Sequence, residues 1–151
     1  HERSDLRIRQ PVMLEFFLDE NLAGKKFTKI LLESDVVFQT PADLGFRGTV
    51  DHIWIPRVSA MGLVIVSNGN NIRYIESEKQ AIIHSGARVV SVSIGKTSSI
   101  EKVARNLVHS LPVIERHLDG VSGPVYLRLT MANDTDFEAG QAGPIRRLDL
   151  F

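Results

Sequence analysis

Acidic side chains directly follow the first strongly apolar segment of the chain. Residues Val12 to Leu18 form a nearly continuous apolar run, which is typical of a strand buried on both faces of a parallel sheet. Asp19, Glu20 and Asn21 come next, and Asp51 lies in the first turn of a predicted helix. Carboxylates that converge without neutralising bases repel one another, and a bound divalent cation is the usual reason why a fold tolerates them. Mg²⁺ or Mn²⁺ would bridge a phosphate and activate a water for attack on it.

The same two aspartates also have a purely structural explanation. Asp19 would cap the helix that follows it, and Asp51 would interact favourably with the positive end of its own helix. Spacing alone favours this explanation, because acidic residues are common at both kinds of position. The elements that carry the acids therefore decide whether the carboxylates can meet.

Apolar segments with strand character alternate about five times with segments of helical periodicity. The strands are predicted at residues 12–18, 36–38, 63–66, 88–94 and 124–129, and the helices at 22–33, 49–61, 77–86 and 98–118. Residues 41–48 are predicted to be a loop, and the N-cap signals are Thr49, Ser77 with Gln80, and Ser98 with Glu101. This alternation predicts an α/β fold with a mainly parallel sheet and helices on both faces. Right-handed crossovers bring the carboxyl ends of the strands to one edge, where such folds bind ligands.

Length and composition predict one globular domain. The 151 residues can bury one core, and we expect a domain at residues 1–130 followed by a C-terminal tail at 131–151 that is mobile or binds a partner. With 18 basic and 18 acidic side chains the formal net charge is zero, so a nucleic acid would have to be bound by a local basic patch. The absence of cysteine excludes disulfides and thiolate chemistry and fits a cytoplasmic protein. No apolar run approaches the roughly 20 residues that span a bilayer, so no membrane partner is expected.

The predicted strand ends and their neighbours also carry an ordered set of motifs. These are Phe16 to Leu22, Asp43 to Gly45 with Asp51 beyond, Leu63 to Ser67, Ile72 and Arg73 before Glu78, Leu111 to Glu115, and Gly123 to Val125. Together, from about Met13 to Leu129, they resemble the PIN-like domains of the VapC toxin type. The resemblance implies a three-layer sandwich with a central sheet of about five strands.

The resemblance implies a metal-dependent endoribonuclease that is the toxin of a toxin–antitoxin pair. Such a protein would use Mg²⁺ or Mn²⁺ to cleave RNA, would be neutralised by a cognate antitoxin protein, and could form a homodimer. Asp19 corresponds to the first metal-binding acid of the family, and Asp51 to the acid after the glycine-containing loop. The third strand of the family normally ends in a motif whose aspartate completes the catalytic site, and here Gly69 stands at that place.

Gly69 puts the catalytic activity in question, because glycine has no side chain with which to bind a cation. Three explanations stay open: a deliberate knock-out of a toxic activity, a natural loss that leaves a binding protein, or a site shifted onto Glu20 and Glu78. The main alternative function is accordingly a non-catalytic PIN-like module that binds an antitoxin or RNA without cleaving it.

Further positions are predicted to support the site or to contact RNA, and each also has a simpler explanation. The supporting positions are Glu20, Asn21, Ser67, Asn71 and Glu78, and the RNA contacts are Lys25, Lys26, Arg47, Arg57 and Arg73. An acid such as Glu78 often only compensates a helix dipole, and basic side chains on a helix are often only solvated. Trp54, between two isoleucines, is predicted to pack in the core or at a dimer surface.

Overall fold

The computed structural model describes residues 14–69, 75–94 and 98–150 of the chain. The strands of these ranges are β1 Glu15–Leu18, β2 Val37–Gln39, β3 Val64–Asn68, β4 Arg88–Val92, β5 Val125–Leu129 and β6 Ile145–Leu148. The helices are α1 Lys25–Glu33, α2 Pro41–Leu44, α3 Asp51–Ala60, α4 Glu76–Ser85, α5 Ile100–Leu118 and α6 Asp134–Glu138, and a 3-10 turn covers Glu20–Leu22. In this part of the chain no helix combines the length and apolar character needed to span a membrane.

The strands form one sheet in the order β2-β1-β3-β4-β5-β6. The first five of these strands are parallel, and β6 pairs with β5 in the antiparallel sense. The predicted α/β sandwich with a mainly parallel sheet is therefore confirmed, although the sheet has six strands rather than about five. The sixth strand comes from residues 131–151, which were predicted to be a tail outside the domain.

Alternate residues of the parallel strands enter two separate cores, one on each face of the sheet. Phe16 and Leu18 belong to the core under α1 and α5, whereas Phe17 between them belongs to the core under α3 and α4. We call these faces the α1/α5 face and the α3/α4 face. Because both faces are covered, nearly every residue of the central strands is buried, which explains their continuous apolar runs.

One predicted loop contains a short helix. The segment 41–48 was expected to be a loop because of its proline and glycines, but α2 occupies its first half. The side chain of Thr40 accepts a hydrogen bond from the Asp43 N–H at 3.3 Å, and the Asp43 carboxylate accepts one from the Thr40 N–H at 2.9 Å. These reciprocal bonds form a capping box, and proline is well tolerated in the first turn of a helix.

The three N-cap predictions are each wrong by one or two residues. α3 begins after Val50 instead of Thr49, and α4 begins after Ile75 instead of Ser77, and neither helix has a side-chain cap. α5 is capped by Ser99 instead of Ser98, and the Ser99 hydroxyl accepts a hydrogen bond from the Lys102 N–H at 3.1 Å. The helices exist as predicted because their length and burial are set by packing rather than by the cap.

A buried polar cluster fixes the segment that leads to β6. The amide nitrogen of Asn106 donates to the Thr130 carbonyl at 3.0 Å, and its amide oxygen accepts from the Ala132 N–H at 3.1 Å. Next to it, the hydroxyl of Ser110 accepts from the Gly143 N–H at 3.0 Å. Asn106 and Ser110 are both buried in α5, so their polar groups are satisfied by the main chain on either side of α6.

Candidate active site

Three polar residues form a row across the carboxyl ends of neighbouring parallel strands. Asp19 follows β1, Ser67 lies on β3, and Ser91 lies on β4, where it pairs with Ser67. Each stands two positions after a core residue of the α3/α4 face, so strand alternation points its side chain to that face. Helices that link parallel strands start beside the strands' carboxyl ends, so the first turns of α3 and α4 lie at the same edge.

The carboxylate of Asp19 is held by main-chain hydrogen bonds. Its Oδ1 accepts from the Asn21 N–H and its Oδ2 from the Asn68 N–H, each at 2.9 Å. Burial raises the pKa of Asp19 above its ordinary value, and these bonds, which favour the ionised form, act in the opposite direction. The nearby charge of Asp51 raises the pKa of Asp19 further. Asp19 therefore caps the turn after β1, as the structural explanation expected, and also lies close to a second acid.

Asp51 is positioned by the tryptophan one turn along α3. The indole N–H of Trp54 donates to Asp51 Oδ1 at 2.9 Å, and the Trp54 ring packs against Phe17 with 4.9 Å between ring centroids. Trp54 is buried, as the sequence predicted for a core residue. Sequence reasoning missed its second role, although the i, i+3 spacing on a helix could have indicated it.

Glu78 is the third acid of this edge. It lies in the first turn of α4, and a hydrogen bond connects its carboxyl group to that of Asp51. Burial, that hydrogen bond and the Asp51 charge together raise the pKa of Glu78 to about 7. Its Oε2 is buried, and no donor among the described residues forms a hydrogen bond to it. A shared proton or a cation would compensate the negative charge that gathers here.

Gly69 is attached to β4 through its main chain. Its N–H donates to the Val92 carbonyl at 2.8 Å, and its own carbonyl accepts a hydrogen bond from the Ser91 hydroxyl. The residue has a φ of +83°, and no atom of the described residues beyond its chain neighbours would lie within 4 Å of a Cβ at this position. The Cβ of an aspartate would therefore meet no described atom, but the backbone would have to keep a left-handed conformation that L-residues rarely adopt.

The acids do not form a ready-made metal cluster. Within the described ranges, no group of three or more His, Cys, Asp or Glu side chains is arranged to hold a metal ion. Asp51 interacts with Asp19 and with Glu78, so its carboxyl group is the neighbour of both others. They match Mg²⁺ and Mn²⁺ in ligand chemistry, since hard cations prefer carboxylate oxygens.

Three other predicted supporting residues, Glu20, Asn21 and Ser67, lie around this edge. Glu20 accepts a hydrogen bond from the Gly48 N–H at 3.1 Å, so it fixes the loop before α3. Asn21 contributes its main-chain N–H to Asp19, and its side chain is exposed. The buried Ser67 hydroxyl has no hydrogen-bond partner within the described ranges. Asn71 lies outside the described residues.

The predicted RNA contacts are distributed unevenly. Lys25 and Lys26 are exposed in the first turn of α1, and Arg47 is exposed shortly before α3, so all three lie near the edge that carries the acids. Arg57 is exposed in the last turn of α3 and therefore lies towards the opposite edge of the sheet. Arg73 lies outside the described residues.

A family comparison agrees with the α/β fold. The family described as "PIN like domain" matches residues 14–93, which is more than half of the chain. The chain belongs to the PIN-like domain family. The match contains Asp19, Asp51, Gly69 and Glu78, but it ends before the α5 and β5 motifs on which the narrower resemblance to the VapC toxin type also depended. No curated protein and no solved structure matches the chain.

Proposed function

We propose that this PIN-like domain carries a metal-dependent ribonuclease site formed by Asp19, Asp51 and Glu78, and that Gly69 weakens it. The supporting observation is the position of Asp51, which interacts both with Asp19 at the end of β1 and with Glu78 at the start of α4. Among the residues that the structure describes, three acids from separate chain segments gather without a basic partner. The mutual repulsion of these carboxylates is unfavourable, so a bound ligand is the most direct explanation of the grouping.

The proposed division of roles follows from the contacts of each acid. Asp19 is fixed by two main-chain donors and offers oriented lone pairs to a cation. Asp51 is oriented by Trp54 and lies between the other two acids. Glu78, with its pKa near neutral, can hold or release a proton at the pH of the cell. A bound Mg²⁺ or Mn²⁺ would supply Lewis-acid activation of water and of a phosphodiester oxygen.

Gly69 limits this site because it adds no charge where the family places an acid. The strength of cation binding depends on the number of charged ligands. We therefore propose that cation affinity, and with it RNA cleavage, is low in this chain.

The test restores the missing carboxylate and uses an isosteric control. Gly69→Asp and Gly69→Asn give side chains of equal size in the same left-handed conformation, but only the aspartate adds a charge. We expect G69D to bind Mn²⁺ at least tenfold more tightly than G69N, measured by calorimetry, and to cleave single-stranded RNA. Asp19→Asn in the G69D protein should abolish both. Equal Mn²⁺ affinity of G69D and G69N, with no RNA cleavage by either, would contradict the proposal.

A second function has its own supporting observation. Both oxygens of Asp19 already accept main-chain hydrogen bonds, and the described acids form no metal cluster, which would suit a PIN-like module that binds RNA or an antitoxin without cleaving it. This alternative predicts that D19N leaves RNA binding unchanged while no variant cleaves RNA.

The role of toxin in a toxin–antitoxin pair, with a cognate antitoxin and a homodimer, is part of the same proposal and rests on the motif resemblance alone. Growth arrest on induced expression of the G69D variant, and its absence for D19N in the same background, is the outcome that this role predicts.

A further inference from the structure

The polar row of the α3/α4 face continues beyond the acids into two arginines. Ser91 of β4 pairs with Arg128 of β5, and Arg128 pairs with Arg146 of β6. On β5 and β6, the neighbouring residues of the same face are Tyr126 and Leu148, which belong to the core of the α3/α4 face or pack against it. Asp19, Ser67, Ser91, Arg128 and Arg146 therefore lie in one line across five adjacent strands.

No acidic side chain of the described residues pairs with either arginine. Within the described ranges neither makes a salt bridge, and the buried Nε of Arg128 has no hydrogen-bond partner. Like charges directly opposite each other on antiparallel strands destabilise the pair, and a buried unpaired donor adds a further cost. An anion between the guanidinium groups would remove both costs.

We propose that Arg128 and Arg146 bind a phosphate of the single-stranded RNA whose cleavage site lies at Asp19, Asp51 and Glu78. This inference rests on the proposed function for the position of the scissile bond. Neighbouring strands are about 4.8 Å apart, which puts Arg128 about 14 Å and Arg146 about 19 Å from Asp19 along the row. Those separations are too large for the scissile phosphate, so the arginines contact a different phosphate of the same strand.

The chemistry of the two groups suits this ligand. Arginine forms paired hydrogen bonds to phosphate oxygens, which a lysine cannot reproduce with the same geometry. Because the net charge of the chain is zero, a polyanion can be held only by a local patch such as this one.

The test compares two adjacent exposed arginines of β6. Arg146 lies on the α3/α4 face and Arg147 on the opposite face, so Arg146→Gln and Arg147→Gln remove the same charge from the two sides of one strand. Binding of a fluorescently labelled single-stranded RNA is measured by polarisation in EDTA, which prevents metal-dependent cleavage. We expect R146Q to bind about tenfold more weakly than R147Q at low salt. The slope of log K against log salt concentration should also become less steep by about 0.7 for R146Q but not for R147Q.

Equal RNA affinities of R146Q and R147Q would overturn this inference, even if G69D cleaves RNA and D19N does not. Conversely, weaker binding by R146Q alone would support the inference even if no variant cleaves RNA, because the binding assay contains no divalent cation. Both substitutions are at exposed positions, so a difference between them does not depend on unfolding; matching thermal transitions of the two variants verify this.

Discussion

Replacement of Asp51 by asparagine should lower the pKa of Glu78. Burial is the largest cause of the rise to about 7 from the ordinary value of 4.5, and the hydrogen bond and charge of Asp51 are the other two. Asparagine removes the charge, and its amide can donate to an ionised Glu78, which favours the charged form. Burial remains, so we expect the pKa of Glu78 in D51N to fall by at least one unit and to stay above 4.5.

The raised pKa also fixes the sign of a pH effect on stability. The folded protein holds the Glu78 proton more tightly than the unfolded chain does. The stabilisation of the folded state by this proton is therefore complete below pH 4.5 and is lost as the pH rises through about 7. Because the side chain is partly exposed, solvent screening reduces this loss to about 1 kcal/mol. Between pH 5 and pH 8, the melting temperature of the unaltered protein should therefore fall by about 2–4 °C more than that of the Glu78→Gln variant.

Carboxyl carbon NMR across pH 3 to 9 measures the Glu78 pKa directly. Glu76→Gln is the matched control, because it removes the same charge from the same turn of α4 and Glu76 is not among the causes of the shift. Titration of Glu78 near 4.5 in the unaltered protein, or equal values in D51N and E76Q, would refute the reasoning that joins Asp51 to Glu78.

Two further substitutions test the contacts behind the site and the C-terminal segment. Trp54→Phe keeps an aromatic ring but removes the indole donor to Asp51. The free energy of unfolding, measured by urea titration, should therefore fall by about 1.5 kcal/mol, and by much less when Asp51 is already replaced by alanine. Equal losses in both backgrounds would contradict the hydrogen bond. A Cβ at Gly143 would overlap the Thr130 carbonyl, whereas a Cβ at Gly140 would meet no described atom within 4 Å. Gly143→Ala should therefore lower the free energy of unfolding by about 3 kcal/mol, and Gly140→Ala by about 1 kcal/mol. The reverse order would contradict the packing at Gly143.

The parallel strands were predictable because a strand buried on both faces has a nearly continuous apolar sequence. Continuous apolar runs such as Leu63 to Val66 identify such strands without any knowledge of their partners. β6 was missed because its centre, Arg146 and Arg147, is charged on both faces. An edge strand with polar side chains resembles a loop in sequence, and only its pairing with β5 defines it.

The site was only partly predictable because some of its contacts have no sequence signature. Asp19 and Asp51 were candidates because each begins a segment at the expected sheet edge. The contact between Asp51 and Glu78 depends on how α3 packs against α4, which no local pattern encodes. Arg128 was not considered at all, because the row that joins it to Ser91 depends on the strand order of the sheet.

The bond from the Asn68 N–H to Asp19 is formed by the main chain, so the identity of the side chain at position 68 is irrelevant to it. Homologous proteins could differ freely at this position and still hold the acid in place, and proline is the single substitution that removes the donor. A comparison of homologues would therefore undervalue position 68, and a scan with alanine would report it as neutral although it orients the acid at the end of β1.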